Sequence, residues 1–239
     1  MFNSLCKTKP RINDYVLYSE DLQLLDLAVE INADLMVALR HKGLEFESRA
    51  VCMTDKAAIA FSGGKTVPVI RDGESVVRDS WKIAEHLEAT HPDRPLLGGA
   101  IGRGVSQAFN AWVDRAVVPA MLPVIAADIH ERVDPADQAY FRESMERVLK
   151  QTLEQARAQR EEGLRRLARV LEPMQAALRR QSFIGGEAPA YADYILFSPF
   201  QWARVMSPHE VLAAGEPLAA WRERVLDLCG GFAREAPAA

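Results

Sequence analysis

The fold is indicated most strongly by residues 65–88, KTVPVIRDGESVVRDSWKIAEHLE. Its two runs rich in β-branched residues, TVPVI and SVVR, are separated by the turn-forming residues 71–74, a pattern typical of an antiparallel hairpin. A helix is predicted to follow at once, because Asp79 is a favourable N-cap and apolar residues then recur at helical spacing at Trp81, Ile83, Ala84 and Leu87. The segment therefore predicts the order strand, strand, helix.

The region before this segment predicts a second unit of strands and a helix. YVLY at residues 15–18 and FESRAV at residues 46–51 have the composition of strands, and a helical stretch between them ends at RHKGL. Gly43 is a natural helix terminator there. The complete order of β-α-β, loop and β-β-α is that of a thioredoxin-like domain, which we assign to residues 13–92.

The remainder of the chain predicts helices only. Residues 93–104 concentrate proline and glycine and are interpreted as a linker, so that an all-helical domain occupies residues 105–235. An apolar stripe there follows steps of three and four through Leu149, Leu153, Ala156, Leu164, Leu167, Leu171, Met174 and Leu178. Arg160 interrupts the stripe, which indicates a bend, a snorkelling arginine or, in the interpretation we favour, a break between two helices.

Composition excludes several classes of function. The chain has 239 residues and a net charge of −4, so it has no long-range attraction to nucleic acid or anionic lipid. The longest apolar run, residues 116–127, is too short to span a bilayer and contains two prolines, which predicts a buried, kinked helix. We expect neither a nucleic-acid partner nor a membrane partner.

The titratable residues show no metal site and no familiar catalytic set. The cysteines Cys6, Cys52 and Cys229 are odd in number and far apart, so they predict neither a disulfide framework nor a zinc site. The five histidines have no metal-ligand spacing, and no G-x-S-x-G or phosphate-binding glycine loop is present. We therefore expect reduced thiols, a cytoplasmic location and no metal.

Three segments together resemble the glutathione transferase superfamily. They are KTVPVI at residues 65–70, VVRDSWKIAEHLE at residues 76–88 and FIGGEAPAYADYILF at residues 183–197. Four segments are more narrowly similar to the bacterial branch that includes the glutathione-dependent β-etherases of lignin breakdown. They are HKGLEF, FSGGKTVPVI, DSWKIAEHLEATHPDRP and ADYILFSPFQWAR. The resemblance implies a thioredoxin-like α/β domain followed by an all-α domain, glutathione as co-substrate, an apolar second ligand and a homodimer.

The resemblance also implies a glutathione site around Val67, Pro68, Asp79 and Ser80. A cis bond before Pro68 would turn the backbone of Val67 outward, where the cysteinyl unit of glutathione could pair with it as an added strand. Ser80, at a helix start, suits the γ-glutamyl carboxylate, and Asp79 suits the ammonium group. Alternatively, Asp79 is only the N-cap of the helix, and the capping role and the binding role are compatible.

The helical domain supplies candidates for the second pocket. Phe109, Trp112, Phe200 and Trp202 are placed there, with the alternative that they are ordinary core aromatics. Asp193 stands where the family has a capping box that begins with serine or threonine, a position held here by Ala190. We interpret Asp193 as a folding element rather than a site residue.

The serine that activates glutathione in the etherase-like branch is missing. Its motif is Ser-Pro-x-x-Trp-Arg, and an ungapped count back from HKGL places the serine on Val29 and the proline on Glu30. The catalytic group is therefore unassigned, with Tyr18, Ser19 and Asn32 as the nearby donors. The chain is predicted to be a glutathione transferase that conjugates or cleaves an apolar aromatic electrophile, or alternatively a glutathione-binding carrier or interaction protein without activity.

Overall fold

The computed structural model describes residues 15–21, 32–53 and 55–239 of the chain. In this part, four strands form one mixed sheet in the order β2-β1-β3-β4. Strands β1 (Tyr15–Asp21) and β2 (Glu47–Cys52) are parallel, whereas β3 (Val69–Asp72) is antiparallel to both β1 and β4 (Ser75–Arg78). The predicted hairpin and the thioredoxin-like order are confirmed.

Helices α1 (Ala33–His41) and α2 (Ser80–Thr90) complete this domain. Helix α1 ends where Gly43 adopts a φ of 74°, a left-handed conformation that glycine takes without steric cost, and the Leu44 amide then donates to the carbonyl of Leu39. Seven of the nine α1 residues, 33–39, are buried, because the helix is enclosed by the sheet and the helical domain.

The second domain is all helical, as predicted. Its helices are α3 (Gly99–Trp112), α4 (Val118–Arg132), α5 (Gln138–Leu149), α6 (Leu153–Ala158), α7 (Arg160–Leu178), α8 (Tyr191–Met206) and α9 (Pro217–Leu226). Helix α8 packs on α1, so the buried core runs without interruption from the sheet into the helical domain. None of the helices described is long and apolar enough to cross a membrane.

The predicted break between two helices at Arg160 is confirmed, the apolar run is helical and largely buried, as predicted, and the linker differs. One residue, Gln159, separates the end of α6 from the start of α7 at Arg160, whose guanidinium donates to the buried Asp128 carboxylate at 2.7 Å. The apolar run contains a π-helical segment, residues 113–117, and α4 carries Pro123 inside it. However, α3 begins at Gly99, so residues 99–104 of the expected linker are helical.

Asp193 is a folding element, as predicted. It lies in the first turn of α8 and is completely buried. Its carboxylate accepts hydrogen bonds from the amides of Ile184, Gly185 and Ala190, and from the indole Nε1 of Trp221 at 2.8 Å. Hydrogen bonds to a charged acceptor each stabilise a fold by about 1.5–3 kcal/mol. This residue therefore fixes the loop before α8, and with it the position of α8 against α1.

Candidate functional site

The start of helix α2 brings together all four residues assigned to glutathione binding. The Val67–Pro68 peptide bond is cis, and the Asp79 amide donates to the carbonyl of Pro68 at 3.3 Å. Ser80 is the first residue of α2, directly after Asp79. Helix starts leave backbone N–H groups without acceptors inside the helix, and they carry partial positive charge. This corner can therefore bind an anionic group.

Asp79 has an unusual conformation at this corner. Its φ is 77°, a region that side-chain-bearing residues seldom adopt and that is concentrated at functional sites. Its carboxylate caps α2 by accepting from the Lys82 amide at 3.1 Å, yet the residue is exposed and has no ion pair among the described side chains. A capping carboxylate in this position keeps an oxygen for a cation in solution.

A cleft of about 170 Å³ opens beside this corner, between the two domains. The thioredoxin-like domain contributes Asn32, Asp34 and Ser80 to its wall. The helical domain contributes the polar residues Asn110, Asp114 and Ser198 and an apolar surface of Val113, Val118, Ile195, Pro199 and Trp202. One wall of the cleft is thus polar and the other largely apolar, which suits a polar co-substrate and an apolar partner.

Asn32 occupies the start of helix α1, at the edge of the cleft. Its main-chain carbonyl accepts the first hydrogen bonds of the helix, from the amides of Leu35 and Met36. The residue is only 3% exposed, and its side-chain Nδ2 has no hydrogen-bond partner in the described part of the chain. This amide, at a helix start with partial positive charge, is placed to donate to an electron-rich atom of a ligand.

Asp34 follows in the first turn of α1 and lines the same cleft. It is 7% exposed, and its Oδ2 accepts from the hydroxyl of Tyr191 at 3.0 Å; the same hydroxyl lies 3.2 Å from the carbonyl oxygen of Ser80. Burial raises the pKa of the Asp34 carboxyl to about 6, and the negative charge of Asp114 acts in the same direction. Asp34 can therefore exist in either protonation state near neutral pH.

Sequence reasoning missed Asp34, although a signal was present. In the count that places the serine of the family motif on Val29, the tryptophan falls on Ala33 and the arginine on Asp34. A carboxyl thus stands where the motif has a cation. An acidic residue in place of the basic residue of the motif, directly before the apolar stretch LMVAL, is the signal that could have identified Asp34.

Asp114 adds a second carboxyl at the helical side of the cleft. Its Oδ2 accepts from the side-chain amide of Asn110 at 2.9 Å. Partial burial raises the pKa of Asp114 and the negative charge of Asp79 raises it further, whereas Arg115 and the hydrogen bond from Asn110 act in the opposite direction. The cleft is consequently acidic at the end where Asp79 stands.

The aromatic residues predicted for the second pocket lie in three different environments. Trp202 lines the cleft, and its indole Nε1 is buried without a partner among the described residues. Phe109 and Trp112 contact each other on α3, with ring centroids 5.3 Å apart, and do not line this cleft. Phe200 is fully buried and packs edge-to-face on Trp221 at 6.2 Å, so it belongs to the core.

The remaining predicted donors are less well defined. Tyr18 and Ser19 lie in β1, where they pair with Arg49 and Ala50 of β2, but their side chains are outside the described part of the structure. Val29 and Glu30 also lie outside the described residues. Of these three donors, Asn32 is the one whose side chain is described, and it lines the cleft.

Comparisons with known proteins agree with this fold. Residues 104–227 match the family model described as the glutathione S-transferase C-terminal domain, and residues 35–95 match its N-terminal domain. The glutathione S-transferase-like protein ustS of Aspergillus flavus is 28% identical over 159 residues, which cover 58% of this chain. The match covers 56% of that relative, so the chain spans just over half of its length.

Solved structures show the same architecture at low identity. A glutathione transferase of Phanerochaete chrysosporium superposes with a TM-score of 0.79 at 24% identity, covering 88% of this chain and 95% of its own. A glutathione S-transferase of Ceriporiopsis subvermispora, solved in complex with glutathione, gives 0.72 at 21% identity, with 93% and 95% covered. The β-etherase LigF of Sphingobium sp. strain SYK-6 gives 0.69 at 17% identity, with 94% and 100% covered.

Proposed function

The chain belongs to the glutathione S-transferase family, and from that premise we propose that it binds glutathione and transfers it to an apolar, aromatic electrophile. The observation that carries this proposal is the corner of Pro68, Asp79 and Ser80, where an exposed carboxylate at positive φ adjoins a helix start. Such a corner matches the ammonium and carboxylate groups of an amino acid zwitterion. Glutathione presents that zwitterion at its γ-glutamyl end.

Within this proposal the sulfur of glutathione lies at Asn32. A thiol with a pKa of about 8.5 is mostly protonated at neutral pH, so a transferase needs a donor that stabilises the thiolate. Asn32 supplies a buried amide donor with no other partner in the described part of the chain, at a helix start whose dipole favours an anion. We therefore place Asn32 ahead of Tyr18 and Ser19 as the activating group.

The apolar wall of the cleft supports an aromatic second substrate, of the kind that β-etherase-like enzymes accept. Val113, Val118 and Ile195 offer apolar contact, and Trp202 adds an indole donor that has no partner in the described part of the chain. A buried N–H group of this type favours a ligand with an acceptor oxygen, such as a ketone or an aryl ether. In an aryl ether ketone, thiolate attack on the carbon that bears the ether oxygen forms the S–C bond as the C–O bond breaks, and an aryl oxide leaves.

Binding and turnover test this proposal separately. Titration calorimetry with glutathione and with S-hexylglutathione measures the first, and rates with a chlorodinitrobenzene and with an aryl ether ketone measure the second. We expect both ligands to bind and the ketone to be turned over. Binding without turnover would instead identify a glutathione-binding carrier or interaction protein, and absence of binding at millimolar ligand would refute both functions.

We also propose that the protein is a cytoplasmic homodimer. Exposed apolar side chains lie on both domains: Phe61 and Val76 on the first, and Ile101 and Val105, which are 85% and 64% exposed, on helix α3 of the second. Pairing the first domain of one copy with the second domain of another would cover these residues. Sedimentation analysis of the wild type and of an Ile101→Glu, Val105→Glu variant tests the assembly, since the variant should be monomeric.

A further inference from the structure

Asp34 is a buried carboxyl whose position is not explained by the packing of helix α1. Its carboxyl lies between the two domains, where it has no ion pair with any described lysine or arginine. Its hydrogen-bond partner is the neutral hydroxyl of Tyr191. A buried carboxylate without a cation is costly, and such groups concentrate where an enzyme needs a proton donor or acceptor.

The groups that act on Asp34 in the described part of the chain are acidic or neutral. Tyr191 comes from α8, Asp114 from the π-helical segment, and Asp79 from the start of α2 acts on both of these residues. Arg115 acts on Asp114. Burial and the charge of Asp114 raise the pKa of Asp34 to about 6. With this pKa the carboxyl is mostly ionised at pH 7 in the free protein, and protonating it at that pH costs little free energy.

We propose that Asp34 is the catalytic acid and base of this cleft, which takes the thiol proton of glutathione and returns it to the leaving group. This inference rests on the proposed function. In the first step the S–H bond breaks, its proton passes to the Asp34 carboxylate, and the thiolate remains beside Asn32. The thiolate then forms the S–C bond as the bond from carbon to the leaving oxygen breaks. The neutral Asp34 finally protonates that oxygen, so no proton is gained or lost overall.

The position of Asp34 near Asn32 supports separate roles, in which Asn32 stabilises the thiolate and Asp34 transfers the proton. Both residues belong to the start of α1 and line the same cleft, one with an amide donor that has no partner among the described residues and the other with a carboxyl. A thiolate bound at Asn32 and a carboxylate in the same cleft repel each other, so the thiol and Asp34 share one proton as a coupled pair. Asn32 favours the state in which the sulfur is the charged member.

Tyr191 allows Asp34 to hold a hydrogen bond in both protonation states. When Asp34 is ionised, the Tyr191 hydroxyl donates to it across 3.0 Å. When Asp34 is protonated, its own O–H can donate to the Tyr191 oxygen, and the tyrosine proton can turn to the Ser80 carbonyl at 3.2 Å. A carboxyl with a purely structural role needs only one of these arrangements. The pair fits a proton that moves during each turnover.

The ultraviolet absorption of bound thiolate, combined with calorimetry in buffers of different ionisation enthalpy, tests the proposal on the full-length protein. Glutathione bound to the wild type at pH 7 should show the thiolate band without releasing a proton to the buffer, because Asp34 keeps it. The wild-type kcat/KM should fall below pH about 6, where Asp34 is already protonated before glutathione binds. Release of one proton per bound glutathione would overturn the proposal.

The Asp34→Asn variant provides the mutational arm, since asparagine has the same shape and can still accept from Tyr191. We expect no thiolate band at pH 7, a kcat/KM lower by about 100-fold or more, and loss of the acidic limb of the pH profile. An unchanged or raised rate would show that Asp34 merely opposes the thiolate and would overturn the proposal. S-hexylglutathione, which has no thiol, should bind wild type and variant equally; failure of the wild type to bind it would refute the proposed function instead.

Tyr191→Phe serves as the matched variant, because it keeps the carboxyl and removes its fixed donor. The hydrogen bond from Tyr191 lowers the pKa of Asp34, so its loss should move the acidic limb of kcat/KM to higher pH. An acidic limb that stays in place in a folded Tyr191→Phe protein would contradict the assignment of that limb to Asp34.

Discussion

The starts of helices α1 and α2 face the same cleft, but their side chains are engaged differently. At α2, Asp79 is exposed and caps the helix, so its carboxylate stays hydrated. At α1, Asn32 and Asp34 are buried, the amide of Asn32 lacks a described partner, and Asp34 is paired with a neutral hydroxyl. The start of α2 is therefore suited to binding a charged ligand, and the start of α1 to changing the protonation state of that ligand.

This contrast predicts the largest effect for Asn32→Ala. Removing one donor from an anion-stabilising site costs about 2.7–4 kcal/mol in the transition state, which is about a 100- to 1000-fold loss of rate. Because the α2 corner is untouched, the affinity for S-hexylglutathione should stay the same. Steady-state kinetics with glutathione and an aryl ether ketone, together with calorimetry, check both expectations. A variant that keeps its rate would remove Asn32 from the mechanism.

The next effect is expected for Asp79→Asn, which acts on binding and not on the chemical step. Asparagine tolerates positive φ and still caps the helix, so the substitution removes mainly the charge. Loss of a hydrogen bond to a charged group should weaken glutathione binding by about 1.5–3 kcal/mol. Calorimetry should show this loss with kcat nearly unchanged at saturating glutathione.

A control separates binding from folding at this corner. Asp79→Ala also removes the N-cap, which should lower the free energy of unfolding by about 0.5–2 kcal/mol. If Asp79→Asn binds as tightly as wild type while Asp79→Ala is only less stable, the residue is a cap and nothing more. That result would erase the difference between the two helix starts.

Trp202→Phe should have a smaller effect, confined to the second substrate. The substitution retains the aromatic surface and removes one neutral hydrogen-bond donor, worth about 0.5–1.5 kcal/mol. The kcat/KM of an aryl ether ketone should therefore fall by about 2- to 13-fold, and that of an aryl halide without an acceptor oxygen should not change. Equal losses for both substrates would show that the indole contributes packing alone.

The smallest effect is expected for Val29→Ser, which restores the serine of the family motif. Since α1 begins directly after Asn32, the donor position is already filled by Asn32, and the added hydroxyl should change the rate by no more than about twofold, the range of a neutral substitution. Ser19→Ala should be equally silent. A large gain from Val29→Ser, or a large loss from Ser19→Ala, would move the activating group away from Asn32.

The α2 corner could be predicted from sequence because its signals are local. A hairpin, a proline and an N-cap lie within the fifteen residues from Lys65 to Asp79, and each has a steric or hydrogen-bonding reason of its own. The mixed sheet followed from the same kind of pattern. Residues 99–104 misled the prediction because their glycines disfavour helix, yet they form the first turns of α3.

The α1 side of the cleft could not be predicted in this way, because its chemistry comes from contacts far apart in sequence. Asp34 has its raised pKa because α8 buries it, and its partner Tyr191 lies 157 positions away. Phe200 and Trp202 show the same limit. Two residues apart on one helix, they face in nearly opposite directions, so the core takes one and the cleft the other. Sequence spacing alone does not say which face of α8 meets the cleft.

A structure of the protein with glutathione bound would test the roles of the two helix starts together. We expect the γ-glutamyl group at Asp79 and Ser80, and the sulfur within about 3–3.5 Å of the Asn32 side-chain nitrogen, on the side where Asp34 lines the cleft. Glutathione seated at the α2 corner with its sulfur against Ser19 or Tyr18, remote from both Asn32 and Asp34, would contradict these roles.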